Sequence, residues 1–119
     1  MFALWHIYYV SECVHTTPQK DKYVAIVCAN PNPYGFLINS KIHEYIQKRQ
    51  YLLDAQVEIL ADKYGFLTHS SYIDCSKIFS FKIKNLHSIQ KIQNNTKVAI
   101  KVAVSKAITV EDIYKKLIV

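Results

Sequence analysis

The sequence predicts an α+β protein in which a small, strongly curved antiparallel sheet is followed by short helices. Three observations lead to this prediction. The first two thirds of the chain carry short runs of β-branched and aromatic residues, which favour strands. An Asn-Pro-Asn-Pro turn separates two of these runs. After residue 85 the apolar spacing changes to three or four residues, which is typical of helices. The 119 residues contain no linker or internal repeat, so we expect a single domain over 1–119.

The first elements follow from composition and turn signals. Residues 5–10 are rich in strand-favouring side chains and predict a first strand, and residues 11–20 predict a polar loop. The continuous apolar run 23–28 predicts a strand buried on both faces. In the turn 30–33 each Asn precedes a Pro, which disfavours helical geometry. Residues 34–39 then return as the second strand of a hairpin.

The middle of the chain alternates short elements. Residues 41–53 are compatible with a short helix or a turn, and residues 56–60 predict a strand. Residues 62–65 resemble a one-turn helix that ends at a glycine. Residues 71–81 predict one bent strand or two, with four aromatic or aliphatic side chains pointing inward: Tyr72, Ile78, Phe79 and Phe81.

The last third predicts two or three helices. Leu86, Ile89 and Ile92 repeat at helical spacing, and a second periodic segment places Val98, Val102 and Ser105 on one face after a possible N-cap at Asn95-Thr96. A final helix begins at Thr109, because Asp112 three residues later forms a near relative of the capping box and Lys115-Lys116 suit a helix C-terminus.

Charge and cysteine content restrict the functional classes. The formal charge is +6 and all basic residues except Arg49 are lysines. This charge favours either a solvated surface or attraction to a polyanion. Three separated cysteines give neither a zinc pattern nor a disulfide framework, so no metal or other cofactor is expected and a reducing cytoplasm is the default location. The apolar N-terminus breaks at His6 and is too short to span a membrane.

Polar residues gather at strand ends, where small β-folds usually build their sites. Asn39-Ser40 closes one predicted strand, and His69-Ser70-Ser71 opens another that continues to Asp74. His15 lies in the first polar loop and is a natural acid or base near neutral pH. Each has a structural alternative: an exposed loop histidine, a local turn, a strand stop, or a hydrogen-bonded carboxylate.

Four segments together resemble the MazF/PemK-like toxins of type II toxin–antitoxin systems over about residues 14–81. They are Lys22-Tyr23-Val24-Ala25-Ile26-Val27, Gly35-Phe36-Leu37-Ile38-Asn39-Ser40, Gln56-Val57 and Ser71-Tyr72-Ile73-Asp74-Cys75. The resemblance implies a small SH3-like β-barrel with C-terminal helices, usually a homodimer, that cleaves single-stranded RNA without metal and pairs with an antitoxin protein.

The resemblance also implies site positions. The family's basic residue falls near Lys20 or Lys22, and its hydroxyl residue falls at Ser40. Together with His15, the sequence therefore predicts Lys22 and Ser40 as catalytic residues. It predicts five substrate-binding residues: Lys20, Asn39, His69, Ser71 and Asp74.

Two other functions stay open. Where the family commonly has a Gly-rich turn and Arg-Pro, this chain has Lys20-Asp21-Lys22-Tyr23. Since lysine lacks the planar fork of arginine, the same barrel could be a non-catalytic module that binds nucleic acid or a protein such as an antitoxin. A third possibility is an interaction protein that uses exposed tyrosines.

Overall fold

The computed structural model describes residues 2–118 as one antiparallel sheet with helices. The strands are β1 (His6–Cys13), β2 (Lys20–Asn30), β3 (Asn32–Asn39), β4 (Gln56–Ile59), β5 (Ser71–Asp74), β6 (Phe79–Ser80) and β7 (His87–Lys91). The helices are α1 (Glu44–Gln47), α2 (Gln50–Leu53), α3 (Asn94–Lys106) and α4 (Asp112–Ile118), with a single 3-10 turn at Ile83–Asn85.

The strand order is β4-β5-β3-β2-β1-β7, and β6 pairs with β3. The predicted α+β class, with a curved antiparallel sheet before C-terminal helices, is confirmed. The sheet is nevertheless open within the described residues, because β4 and β7 form its two edges and do not pair with each other. The barrel implied by the resemblance is therefore a curved sheet without hydrogen-bonded closure.

The β2–β3 hairpin is the centre of the sheet and confirms the predicted pairing. Tyr23 lies opposite Ile38, and the turn is at Pro31. Successive side chains of a strand point to opposite faces. Val24 and Ile26 belong to one buried cluster, whereas Ala25 and Val27 belong to another that includes buried residues of α3 and α4. The prediction that this strand is buried on both faces is thus confirmed.

The predicted polar loop 11–20 is shorter than expected. Strand β1 continues through Cys13 and β2 begins at Lys20, so only 14–19 remain as the connection. The Asp21 carboxylate explains the extension, because it accepts hydrogen bonds from the Tyr9 hydroxyl and from the Glu12 amide. The Tyr9 bond first, and the Glu12 amide second, hold the pKa of Asp21 below its usual range.

Three local predictions were wrong. Residues 87–91 form the edge strand β7 rather than a helix, because they pair with β1. Residues 62–65 belong to hydrogen-bonded turns and not to a one-turn helix. In β5, Ile73 is fully buried and Tyr72 is half-buried on the other face.

The start of α3 is held by a buried tyrosine from the turn before β5. The N-cap residue is Gln93, and it makes no side-chain cap bond. Instead the Tyr64 hydroxyl donates to Thr96 Oγ1 at 2.7 Å and accepts the Gln93 amide at 3.1 Å. Tyr64 is only 1% exposed. The turn at 61–67 is thereby fixed to the helix, which positions the segment that follows it.

Replacing Gly35 by alanine should destabilise the protein by about 3 kcal/mol, because overpacking a tight contact forces the backbone to shift. A Cβ at Gly35 would lie 2.1 Å from the Ala25 carbonyl oxygen. Urea denaturation measures the loss. Gly65→Ala is the matched control, since a Cβ there meets nothing within 4 Å; equal midpoints for the two variants would contradict the expectation.

Candidate active site at the open end of the central hairpin

A cavity of about 370 Å³ lies where β2 begins and β3 ends. The segment 66–69 and the first residue of β5 complete its wall. Five residues predicted from the sequence line it together: Lys20, Lys22, Ser40, His69 and Ser71. The structure therefore brings together residues that are up to 51 positions apart in the chain. Strand geometry accounts for the lysine pair, because residues two apart share a face.

Lys22 is the half-buried cation of the cavity. Its ammonium donates a hydrogen bond to Asn39 Oδ1 at 2.6 Å, which links β2 to the last residue of β3. Burial, and then the nearby charge of Lys20, lower the pKa of Lys22 below its ordinary value. Within residues 2–118 neither lysine of the cavity forms an ion pair, although the Asp21 carboxylate also lines the cavity and the charge of Asp74 partly offsets the lowered pKa of Lys22. Such a site attracts anions.

His69 is exposed at the rim and its tautomer follows from its hydrogen bond. Nδ1 lies 2.9 Å from the Ser70 carbonyl oxygen. Since a carbonyl oxygen only accepts, Nδ1 carries the hydrogen and Nε2 of the neutral ring keeps a free lone pair. Ser71 is buried and its hydroxyl donates to the His69 carbonyl at 3.3 Å. His69 can therefore accept a proton at Nε2.

Comparison with known proteins identifies the fold. No family model and no curated protein matches the chain. Among solved structures, the toxin MazF-mt6 of Mycobacterium tuberculosis is similar with a TM-score of 0.63, over 87% of this chain and 97% of that chain, at 15% sequence identity. The chain has a MazF-like fold. This agrees with the fold that the sequence resemblance implied.

Three predicted site residues of this MazF-like fold do not line the cavity. Asn39 lies behind it and holds Lys22. Asp74 ends β5, where its Oδ1 accepts hydrogen bonds from Gln56 Nε2 and from the Ser76 amide. Asp74 is therefore a hydrogen-bonded carboxylate at a strand end, which was the alternative to a role in substrate binding.

His15, the third of these residues, lies elsewhere. Its Nε2 is 2.6 Å from the Ser80 carbonyl oxygen, and its ring stacks on Phe79 with a centroid distance of 4.5 Å. It lines a second cavity of about 300 Å³ on the other side of the β1–β2 hairpin. The structure thus separates His15 from Lys22 and Ser40.

Two aromatic residues of the cavity were missed by the sequence analysis. Tyr23 and Phe66 both line it, with ring centroids 4.5 Å apart. Tyr23 was assigned to the hairpin strand, and Phe66 lies in a turn region without any periodic pattern. Only the packing of that turn against β2 brings the two rings together. Tyr23 packs against the cluster of Ala25 and Val27, whereas Lys22 directly precedes it in β2 and points to the opposite face. Aromatic rings of this kind can stack the bases of single-stranded nucleic acid.

Between residues 2 and 118, no cluster of three His, Cys, Asp or Glu residues is arranged to hold a metal ion. Over the same residues, no helix is long and apolar enough to cross a bilayer.

Proposed function

We propose that this protein is a toxin-like endoribonuclease that cleaves single-stranded RNA without metal. The observation that supports this most is the shared cavity, whose lining contains two lysines that form no ion pair together with Ser40, Ser71 and His69. RNA cleavage by its own 2′-hydroxyl needs a base, a donor or cation for the phosphorane charge, and a proton for the leaving oxygen. The cavity offers side chains for the first two needs, and water can meet the third because the cavity is open to solvent.

In the proposed mechanism His69 Nε2 accepts the proton of the 2′-hydroxyl. The 2′-oxygen forms a bond to phosphorus while the bond to the 5′-oxygen breaks, and water gives the leaving oxygen its proton. The products are a 2′,3′-cyclic phosphate and a 5′-hydroxyl. Lys22 stabilises the charge that develops on the non-bridging oxygens, and the Ser40 hydroxyl donates to one of them. Lys20, which is exposed at the rim, holds a neighbouring phosphate.

The family resemblance extends the proposal to partners. We propose that the protein forms a homodimer, binds an antitoxin protein and is located in the cytoplasm. The proposal includes no role at a membrane. None of these is needed for the chemistry of the cavity.

One observation favours a second candidate, a non-catalytic module that binds nucleic acid or a protein partner. The chain carries Lys20-Asp21-Lys22 where the MazF/PemK-like toxins commonly carry Arg-Pro. A lysine contacts phosphate as a point charge and lacks the bidentate fork of arginine. Binding without cleavage is the outcome that this candidate predicts.

We expect the purified protein to cleave a mixed-sequence single-stranded RNA in excess EDTA, leaving 5′-hydroxyl ends. Binding should weaken steeply as salt rises, because phosphate contacts release counterions. Mass spectrometry of the products and titration of a labelled strand at several salt concentrations measure both. Salt-sensitive binding with intact RNA supports the binding module, and an absence of binding at low salt removes nucleic acid as the partner.

A further inference from the structure

The second cavity, on the far side of the β1–β2 hairpin, has no role in the proposed mechanism. Its volume is about 300 Å³, and its apolar wall includes Val10, Cys13 and Phe81. We propose that this cavity binds one nucleobase of the RNA strand whose phosphate lies in the first cavity. This inference rests on the proposed function only in taking the bound nucleic acid to be the RNA substrate.

A fixed aromatic ring forms part of this cavity. His15 stacks on Phe79 at an interplanar angle of 30°, and its ring meets Phe81 edge-on at 5.2 Å. The Ser80 carbonyl accepts from Nε2 at 2.6 Å. The ring is therefore held on one face and at one nitrogen, while it still contributes to the cavity lining. Immobilised aromatic and histidine rings are the usual platforms for unstacked bases.

The polar groups of the cavity suit the edge of a base. Asn32 and Asn85 are exposed and carry side-chain amides, each with a donor and an acceptor. Because Nε2 of His15 donates to Ser80, Nδ1 of the neutral ring is an acceptor. The Glu12 carboxylate also lines the cavity. These acceptors favour a base with an exocyclic amine over uracil, which has none. The lining also contains Lys82, so the charges of Glu12 and Lys82 offset each other.

The carboxylate of Asp21 connects the two cavities. Asp21 lines the first cavity, and its Oδ1 accepts the Glu12 amide at 2.9 Å and the Ser11 hydroxyl at 3.5 Å. Ser11 and Glu12 line the second cavity. A single strand that crosses the hairpin tip can therefore place a phosphate on Lys22 and a base against His15.

The test uses the four ribonucleoside 5′-monophosphates, with inorganic phosphate as a control, followed by NMR of the labelled full chain. We expect AMP, CMP or GMP to shift the His15 and Asn85 side-chain signals at concentrations where UMP and phosphate do not. Asn85→Ala should weaken that binding by about tenfold, the scale of a lost bidentate base contact. Asn94→Ala, an exposed residue at the start of α3, should leave it unchanged. Shifts that are equal for UMP, or that phosphate alone reproduces, would overturn the inference.

Cleavage assays separate this inference from the proposed function. If the wild type cleaves RNA, Asn85→Ala should relax the base preference at one position beside the cleaved bond. Unchanged preference would overturn the inference and leave the nuclease intact. If the wild type does not cleave RNA but the monophosphates bind as expected, the proposed function fails and the nucleobase subsite stands.

Discussion

Replacing Lys22 by methionine should lower the rate of RNA cleavage by about 10²–10³-fold, the usual loss when one preorganised donor for developing negative charge is removed. Methionine keeps the apolar stem that packs in the half-buried position, so the fold should persist. Single-turnover cleavage of a labelled RNA, with circular dichroism to check folding, measures the effect. Lys63→Met, on the exposed turn, is the matched control and should cleave like wild type.

The sign of the pH dependence follows from the lowered pKa of Lys22. Its charged form stabilises the transition state, so the rate should fall as pH rises through that pKa, and the fall should begin below the range of an ordinary lysine. Lys22→Arg stays charged throughout and should therefore lose this alkaline decline. An alkaline decline that is identical in wild type and Lys22→Arg would exclude Lys22 as its source.

The sequence was most informative where two local signals agree. The β2–β3 hairpin has strand-favouring runs on both sides of an Asn-Pro turn, and both signals are independent of the rest of the chain. Residues 86–92 show the opposite case. Leu86, Ile89 and Ile92 have helical spacing, but only pairing with β1 decides that 87–91 is a strand. A five-residue segment is too short for periodicity to separate the two.

Part of the candidate site was predictable for a similar reason. Lys20 and Lys22 follow from the family resemblance, and Ser40 follows from that resemblance and from the polar residues that close β3. His69 was identified because polar residues open β5, but its place in the same cavity depends on Tyr64, which anchors the 61–67 turn to α3. No local pattern reports such a contact. The position of His15 outside the first cavity was not predictable for the same reason, because its hydrogen bond to Ser80 joins residues 65 positions apart in the chain.

The arrangement of charges also bears on function. Lys20 and Lys22 share one strand face, and burial first and the charge of Lys20 second lower the pKa of Lys22. Like charges at a half-buried position oppose each other in the free protein. An anion in the cavity reduces this repulsion between the two lysines. The reduction adds a favourable contribution to the free energy of anion binding. Structural ion pairs are normally built the other way, with opposite charges adjacent.

Replacing His69 by glutamine should lower the cleavage rate by about 10²–10⁴-fold, the range for loss of a general base. Glutamine can still donate to the Ser70 carbonyl, but it has no nitrogen that accepts a proton. Single-turnover cleavage of a labelled RNA, with circular dichroism to check folding, measures the loss.

The control for this experiment is His43→Gln, which changes an exposed histidine before α1 that makes no side-chain cap bond. It should keep the wild-type rate. His15→Gln separates the two cavities: because His15 lies against Ser80 and lines only the second cavity, this variant should change base preference while the cleavage rate stays near that of the wild type. A wild-type rate in His69→Gln together with a large loss of rate in His15→Gln would exclude His69 as the base and would assign that role to His15.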